Sequence, residues 1–438
     1  MLLELLTRFN TEILPLLYKI LFVFSPIYVP FILIYVAIVL YVRMVQLKYL
    51  SKQKPVLLEI KIPKDIQKSP LAMEIIFGAM QQSGAANYTE AYIDGKVQGW
   101  FSLELVSIEG QVHFYVWSSE KKYKNLLEAQ IYAQYPTVEI YEVPTEKDYV
   151  KQFIYDINKF SMWGLQFGLT KADIYPIKTY VDYSLDADQK DEYRIDPMTA
   201  VLEYLGSATK GQQIWIQILI KKHGKEDLKS FRWTKKDDWR KAARDEIKKI
   251  KIGSMFDKEP DKVNAADVVK AKETVKFPNM TKGQTETIAA IERGISKLAF
   301  DTCIRGFYIS EKDLFNPVYI SGLIGSMRQY SSNSLNGFKL QTKTDVGDPF
   351  KDASTIFPFL KKVIDRKKAV LVGKMYDAYR LRSFFYPPYQ NYKQNAFVLN
   401  TEELATIYHF PGNVSATPTL AKIASKKSEP PPNLPIKN

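Results

Sequence analysis

Apolar residues run from Leu21 to Val42 (LFVFSPIYVPFILIYVAIVLYV) without one charge, and at about 1.5 Å per residue a helix of that length covers the hydrocarbon core of a bilayer. Pro26 and Pro30 fall in its first half and predict a kink or a true start nearer Pro30. Ahead of it, Met1 to Ile20 is apolar with Glu4, Arg8, Glu12 and Lys19 interspersed, the pattern of a short amphipathic helix lying along the outer interface. Beyond it the period changes. Pro55 to Ile62 is strand-like, whereas Asp65 to Gln82 places Ile66, Leu71, Ile75, Ile76 and Ala79 at helical spacing. Two alternating runs, Gln98 to Ile108 and Gln111 to Trp117, meet at Glu109-Gly110, an acid-glycine pair that signals a hairpin. A helix from about Glu120 to Gln134 and a strand from Thr137 to Val143, bracketed by Pro136 and Pro144, complete a β-β-α-β order.

Thr170 to Met198 is rich in tyrosine and acidic residues and reads as a long connection or an edge piece. A second module follows, with a strongly alternating strand at Gln212 to Lys221 and a charged stretch from Lys222 to Lys276 that contains a helix over Lys236 to Ile250. Thr281 to Phe300 is expected to be a helix opened by a capping box of Thr281 with Gln284, and Thr302 to Ser310 a strand. Val318 to Tyr330 reads as a helix, SSNSLNGF as a loop, and the chain to about Tyr389 as a mixed basic and aromatic segment. Thr401 to Tyr408 is a short helix capped by Asn400 or Thr401 and stopped by Pro411-Gly412; the remainder is proline-rich and extended. The expectation is an α+β protein: an N-terminal transmembrane helix, then two α/β modules with mainly antiparallel sheets, the second partly echoing the first as a duplicate would. The boundaries are 1–54 for the anchor and its basic flank, 55–169 and 170–411 for the modules, and 412–438 for the tail.

Composition sharpens this picture in three places. With 46% hydrophobic and 13% aromatic residues the chain can bury enough apolar surface to fold. The single cysteine, Cys303, excludes an internal disulfide and sits in an alternating apolar stretch, which predicts a core thiol. The net charge of +13 favours acidic partners, either anionic lipid or nucleic acid. Arg43, Lys48, Lys52, Lys54, Lys61 and Lys64 all follow the apolar run, which puts the body on the cytoplasmic side by the positive-inside rule. The run is long, begins late and has no small-x-small cleavage pattern before that flank, so it reads as an uncleaved anchor rather than a signal peptide.

Catalytic motifs are missing. The sequence has no Gly-x-x-x-x-Gly-Lys-Ser/Thr loop, no Gly-x-Ser-x-Gly elbow, no His-Glu-x-x-His and no Cys-x-x-Cys, so nucleotide-driven motor, serine-hydrolase and zinc chemistry lack their parts, and no cofactor is expected. Ser-x-x-Lys occurs at Ser51 and Ser118, as chance allows in a lysine-rich chain. The three histidines, His113, His223 and His409, are far apart and read as structural. The acidic run Asp182, Asp186, Asp188, Asp191 and Glu192 lacks the glycine turn and final glutamate of a calcium loop. The basic residues Arg366, Lys367, Lys368, Arg380 and Arg382 stand beside Tyr376, Tyr379, Phe384 and Phe385, a pattern that suits cations on phosphate and rings on bases; its alternative is a charged surface over core rings. The flank Arg43, Lys48, Lys52 and Lys54 suits contact with anionic lipid.

Several phrases carry a resemblance: FSLELVSIEGQVHFYVW, EAQIYAQYPTVEIYEV, YPIKTYVDYSLDADQKDEYRIDPMTAVLEYLG, GQQIWIQILI and FVLNTEELATIYHFPG. Together, over about Pro55 to Pro435, the chain resembles an uncharacterised family of bacterial membrane-associated proteins. That family is related to the region preceding the motor domain in ATPases of the conjugation and type IV secretion kind. In those ATPases the motor follows a segment like Thr401 to Pro435; here the phosphate loop is missing, so the resemblance implies a membrane platform that recruits a separate hexameric ATPase. Thr401, Glu402, Glu403, Tyr408, His409, Phe410 and Pro411 are then the candidate docking motif, unless they simply close the last helix. The expected function is a non-enzymatic, membrane-anchored scaffold of a secretion or DNA-transfer apparatus, with the membrane, that ATPase, DNA or a second copy as partners. The alternative is a membrane-tethered nucleic-acid-binding module.

Overall fold

The structure, a computed structural model, describes residues 14–63, 68–81, 87–186, 195–224, 239–256, 258–273, 279–344 and 358–411. The chain forms two compact units. In the smaller, a single helix spans Leu14–Lys52, and its Phe22–Lys52 portion is long and apolar enough to cross a membrane. The helix starts upstream of both prolines, so Pro30 is not its start, and the part of the expected interfacial helix from Leu14 onward is continuous with it. Pro26 has no N–H for the Phe22 carbonyl four residues back; the Ser25 hydroxyl donates to that carbonyl instead, at 2.7 Å. A short helix, Tyr88–Tyr92, is opened by a capping box between Asn87 and Glu90. Gly95 then takes φ +68°, and a Cβ there would lie 2.3 Å from the carbonyl of Val45, so the backbone passes close to the long helix where Val45 is buried.

The larger unit is built on one nine-stranded sheet in which every pairing is antiparallel. Its strands are β1 (Val56–Lys61), β2 (Trp100–Ile108), β3 (Gln111–Ser118), β4 (Glu139–Val143), β5 (Phe160–Leu169), β6 (Gln212–Lys222), β7 (Ala299–Glu311), β8 (Phe338–Lys343) and β9 (Phe397–Asn400). The order is β4-β1-β3-β2-β6-β7-β5-β8. β7 is long enough to hold two strands on one edge, β5 against Ile304–Glu311 and β9 against Ala299–Thr302.

The α+β class, the antiparallel pairing and the N-terminal apolar helix are therefore as expected, but the strands of the two expected modules share one sheet. β5, from the first segment, lies between β7 and β8 of the second. Strands β5, β8 and β9 and the helix Pro358–Arg380 are additional to the elements that the sequence predicts. β5 (FSMWGLQFGL) is buried on both faces and shows little alternation. The helix expected to reach Phe300 covers Lys282–Ser296, because Ala299 and Phe300 already belong to β7, paired with Asn400 and Leu399 of β9. Its Thr281/Gln284 capping box is present. The hairpin turn takes positive φ at both Glu109 and Gly110, as a two-residue turn of right-handed twist requires.

Each strand shows one face to an apolar core. Leu58, Val116, Leu103, Ile218, Ile304 and Phe167 form a row across six strands, covered by the helices Leu71–Met80, Lys124–Gln134, Pro197–Gly206, Val318–Gly325 and Thr401–Ile407. One residue along every strand, on the opposite face, lies a second row of different chemistry: Glu59, Tyr115, Glu104, Gln217, Arg305 and Gln166.

Candidate functional site

Strand alternation decides which face Glu104 occupies, and its neighbours decide whether it can remain charged there. Ser102, two residues earlier, donates to its Oε1 at 2.7 Å, Gln217 of β6 donates to the same oxygen at 2.7 Å, and the Tyr149 hydroxyl donates to Oε2 at 2.9 Å. The helix Pro358–Arg380 covers this face with Met375, Tyr376 and Tyr379, and the chain then turns at Arg382 with φ +49°. Arg382 enters the network with Nε on Glu104 Oε1 at 2.7 Å, Nη2 on Glu104 Oε2 at 2.9 Å and Nη1 on Asp148 Oδ2 at 2.8 Å. Asp148 is itself the cap of the short helix Tyr149–Gln152.

Burial pushes the Glu104 carboxyl up, but the Arg382 charge and the hydrogen bonds from Arg382, Ser102 and Gln217 outweigh it and hold the group below its usual value. Arg382 is raised in turn, because Glu104 and Asp148 overcome its desolvation. A second guanidinium, Arg305, donates to Gln217 Oε1 at 2.6 Å and to the carbonyls of Ala378 and Ser383 at 2.7 and 3.2 Å; burial brings it down to about 10. Two arginines and two carboxylates thus balance in a sealed layer, which locks the helix and the following turn onto the sheet. Arg382, expected as a nucleic-acid or lipid contact, is therefore an internal residue, 3% exposed. Tyr376, Tyr379, Phe384 and Phe385 are buried with it and present no ring for base stacking. Arg366, Lys367 and Arg380 are exposed and Lys368 is half-buried; Arg380 pairs with Asp377 at 3.3 Å. Arg43, Lys48, Lys52 and Lys54 are exposed as well.

The candidate docking stretch takes the opposite form from a surface: Thr401, Glu402, Glu403, Tyr408, His409, Phe410 and Pro411 are all buried. Asn400 and Glu403 form the capping box of the helix, and Glu403 also accepts the Ile177 N–H at 2.9 Å. Burial pushes the Glu403 carboxyl up to about 8 against those two backbone donors. Glu402 pairs with Arg293 at 3.1 Å and Lys297 at 3.2 Å, and Lys297 reaches Glu74 at 2.8 Å. The Tyr180 N–H bonds the Thr406 hydroxyl, so the described part of the 170–198 connection is a strap across this helix.

Each histidine faces a different carboxylate: His113 with Glu59 at 2.8 Å, His223 with Asp301 at 2.8 Å, and His409 with Asp196 at 3.2 Å. Cys303 is buried, and burial pushes its thiol up to about 12. Of the acidic run, Asp182 bonds the Thr179 N–H and pairs with Arg293 at 3.3 Å, while Asp188, Asp191 and Glu192 lie outside the described residues, as does the tail. Among the described residues no three His, Cys, Asp or Glu side chains gather as metal ligands. An open groove of about 400 Å³ lies beside Gly168, Lys171, Asp173, Gln341, Gln394 and Phe397, but the Lys171 amine is engaged by the Asn333 and Ser334 carbonyls and Asp173 by the Val398 N–H.

A family model described as Domain of unknown function (DUF8128) matches residues 97–422, most of the body just described. The chain belongs to that family. No curated protein matches it. The DUF8128 region contains all of the Arg382 network and the Thr401–Pro411 stretch, whereas the apolar helix and β1 precede it.

Proposed function

We propose that the chain is a membrane-anchored, non-enzymatic scaffold whose body lies on the cytoplasmic side and docks a separate ATPase of a secretion or DNA-transfer apparatus. The observation that carries the anchored part is the exposed apolar helix, uncharged from Ile20 to Val42 and followed by Arg43, Lys48, Lys52 and Lys54. A body whose buried charges are paired internally, through Arg382, Glu104 and Asp148, supports a rigid platform. The ATPase partner rests on the sequence resemblance. Since Thr401 to Pro411 is buried, the docking surface in this reading lies elsewhere on the body, and that stretch closes it. The second reading, a tethered nucleic-acid-binding module, keeps Arg366 and Lys367 as exposed cations but loses Arg382 and the four rings to the interior. Crosslinking of the full chain in its native membranes, followed by identification of the captured proteins and of any DNA, tests the choice. Recovery of a hexameric ATPase is expected; DNA without an ATPase favours the second reading, and neither defeats both.

A further inference from the structure

The helix Pro358–Arg380 has an outward face that the sheet lock does not explain. Between residues 362 and 380 it carries six cations against two acids. Val372, Met375, Tyr376 and Tyr379 face the body, while Val363 and Val370, two turns apart, are 46% and 53% exposed. At 100° per residue these valines fall within about 20° of each other, with Arg366 on one side and Lys367 and Lys374 on the other. Leu381, just past the helix and 49% exposed, continues the same ridge.

We propose that this face docks on an anionic phospholipid surface, an inference that rests on the membrane-anchored reading. A phosphate backbone would engage the cations but gain nothing from a ridge of valines. A bilayer interface uses both, because apolar side chains enter the acyl boundary while lysine and arginine stems extend their charges to the headgroups. Only residues 53–55 separate the apolar helix from β1 in the chain, so a bilayer that holds the helix presents lipid to the body at high effective concentration.

The test uses the full chain in nanodiscs that contain a lipid with a quencher in its upper acyl chain. A single environment-sensitive fluorophore is attached at Val370→Cys; the native thiol, Cys303, is fully buried and does not compete. In discs containing phosphatidylglycerol the label should be quenched and blue-shifted. Both effects should vanish in phosphatidylcholine discs and in the variant Arg366→Glu/Lys367→Glu/Lys374→Glu. The same signal in both lipids, or none in either, overturns the proposal, as does a label that responds to duplex DNA but not to anionic lipid. A second label at Val36→Cys, inside the apolar run, separates the two ideas. Quenching at 36 without quenching at 370 defeats the docking face alone, and no quenching at 36 defeats the anchor and the docking face with it.

Discussion

Replacing Glu104 with glutamine keeps the shape of the side chain and removes one charge from the sealed layer. Arg382 then faces Asp148 alone, Arg305 stays charged nearby, and whichever way the new amide turns, its NH2 group meets one of the two Arg382 N–H donors that Glu104 accepts, Nε or Nη2. Breaking a buried ion pair from one side costs about 3–5 kcal/mol, and because Asp148 remains we expect the lower end, about 3 kcal/mol. In urea, with an m-value of about 3 kcal/mol/M, the unfolding midpoint should fall by about 1 M. Tryptophan emission reads this directly: Trp100 donates to the Arg382 carbonyl at 2.9 Å, Trp117 lies 5.5 Å from its guanidinium, and Trp215 packs on Tyr149. Glu142→Gln is the comparison, since its pairs with Lys121 and Lys124 are exposed and worth under about 1 kcal/mol. The Glu104 carboxyl is held below its unfolded value, so its stabilisation is present above the ordinary carboxylate range and is lost as pH falls through the folded value. The deficit of Glu104→Gln should therefore shrink in acid. A Glu104→Gln midpoint equal to that of Glu142→Gln at neutral pH would refute the account of a charge-balanced lock.

Other perturbations reach other parts of the fold. Gly164→Ala places a methyl 2.4 Å from the Phe307 ring in the neighbouring strand and should destabilise by about 1–3 kcal/mol in the same urea assay. His409→Gln should cost most near about pH 5 and least at alkaline pH, read as the midpoint difference at each pH. The sign follows from the pair: Asp196 raises His409 despite burial, so that stabilisation is full below the ordinary imidazole range and lost as pH rises, while Asp196, lowered by His409, loses its share as pH falls. Gly95→Ala meets both a positive φ and the Val45 backbone, and should speed proteolysis within 87–97 without moving the main urea transition.

The strands and helices with a clear period could be read directly: the Glu109-Gly110 hairpin, β6 and the capped helix at Thr281 all lie where alternation and capping placed them. β5 could not, because burial on both faces erases alternation, and β9 is only four residues long. The polar row was written in the sequence but only as single letters: Glu59 in VLLEIK, Glu104 in WFSLELVSI, Gln217 in QQIWIQILIKK, Arg305 in AFDTCIRGFYISE and Gln166 in FSMWGLQFGL each interrupt an apolar strand. That they meet depends on register, which no single strand reveals. Arg382 reads as a surface cation because it ends a segment rich in basic and aromatic residues; its partners, Glu104 and Asp148, lie more than two hundred residues earlier in the chain.

The central claim, a body anchored by the apolar helix and held on the cytoplasmic side, is tested most directly by thiol labelling at Lys282→Cys, an outward position on the body. A membrane-impermeant maleimide is applied to intact cells and to lysed cells, and the label is read on membranes washed at alkaline pH. The account predicts labelled protein in the washed membranes only after lysis. Labelling in intact cells would place the body outside, and loss of the protein in the wash would show that the helix does not span the bilayer.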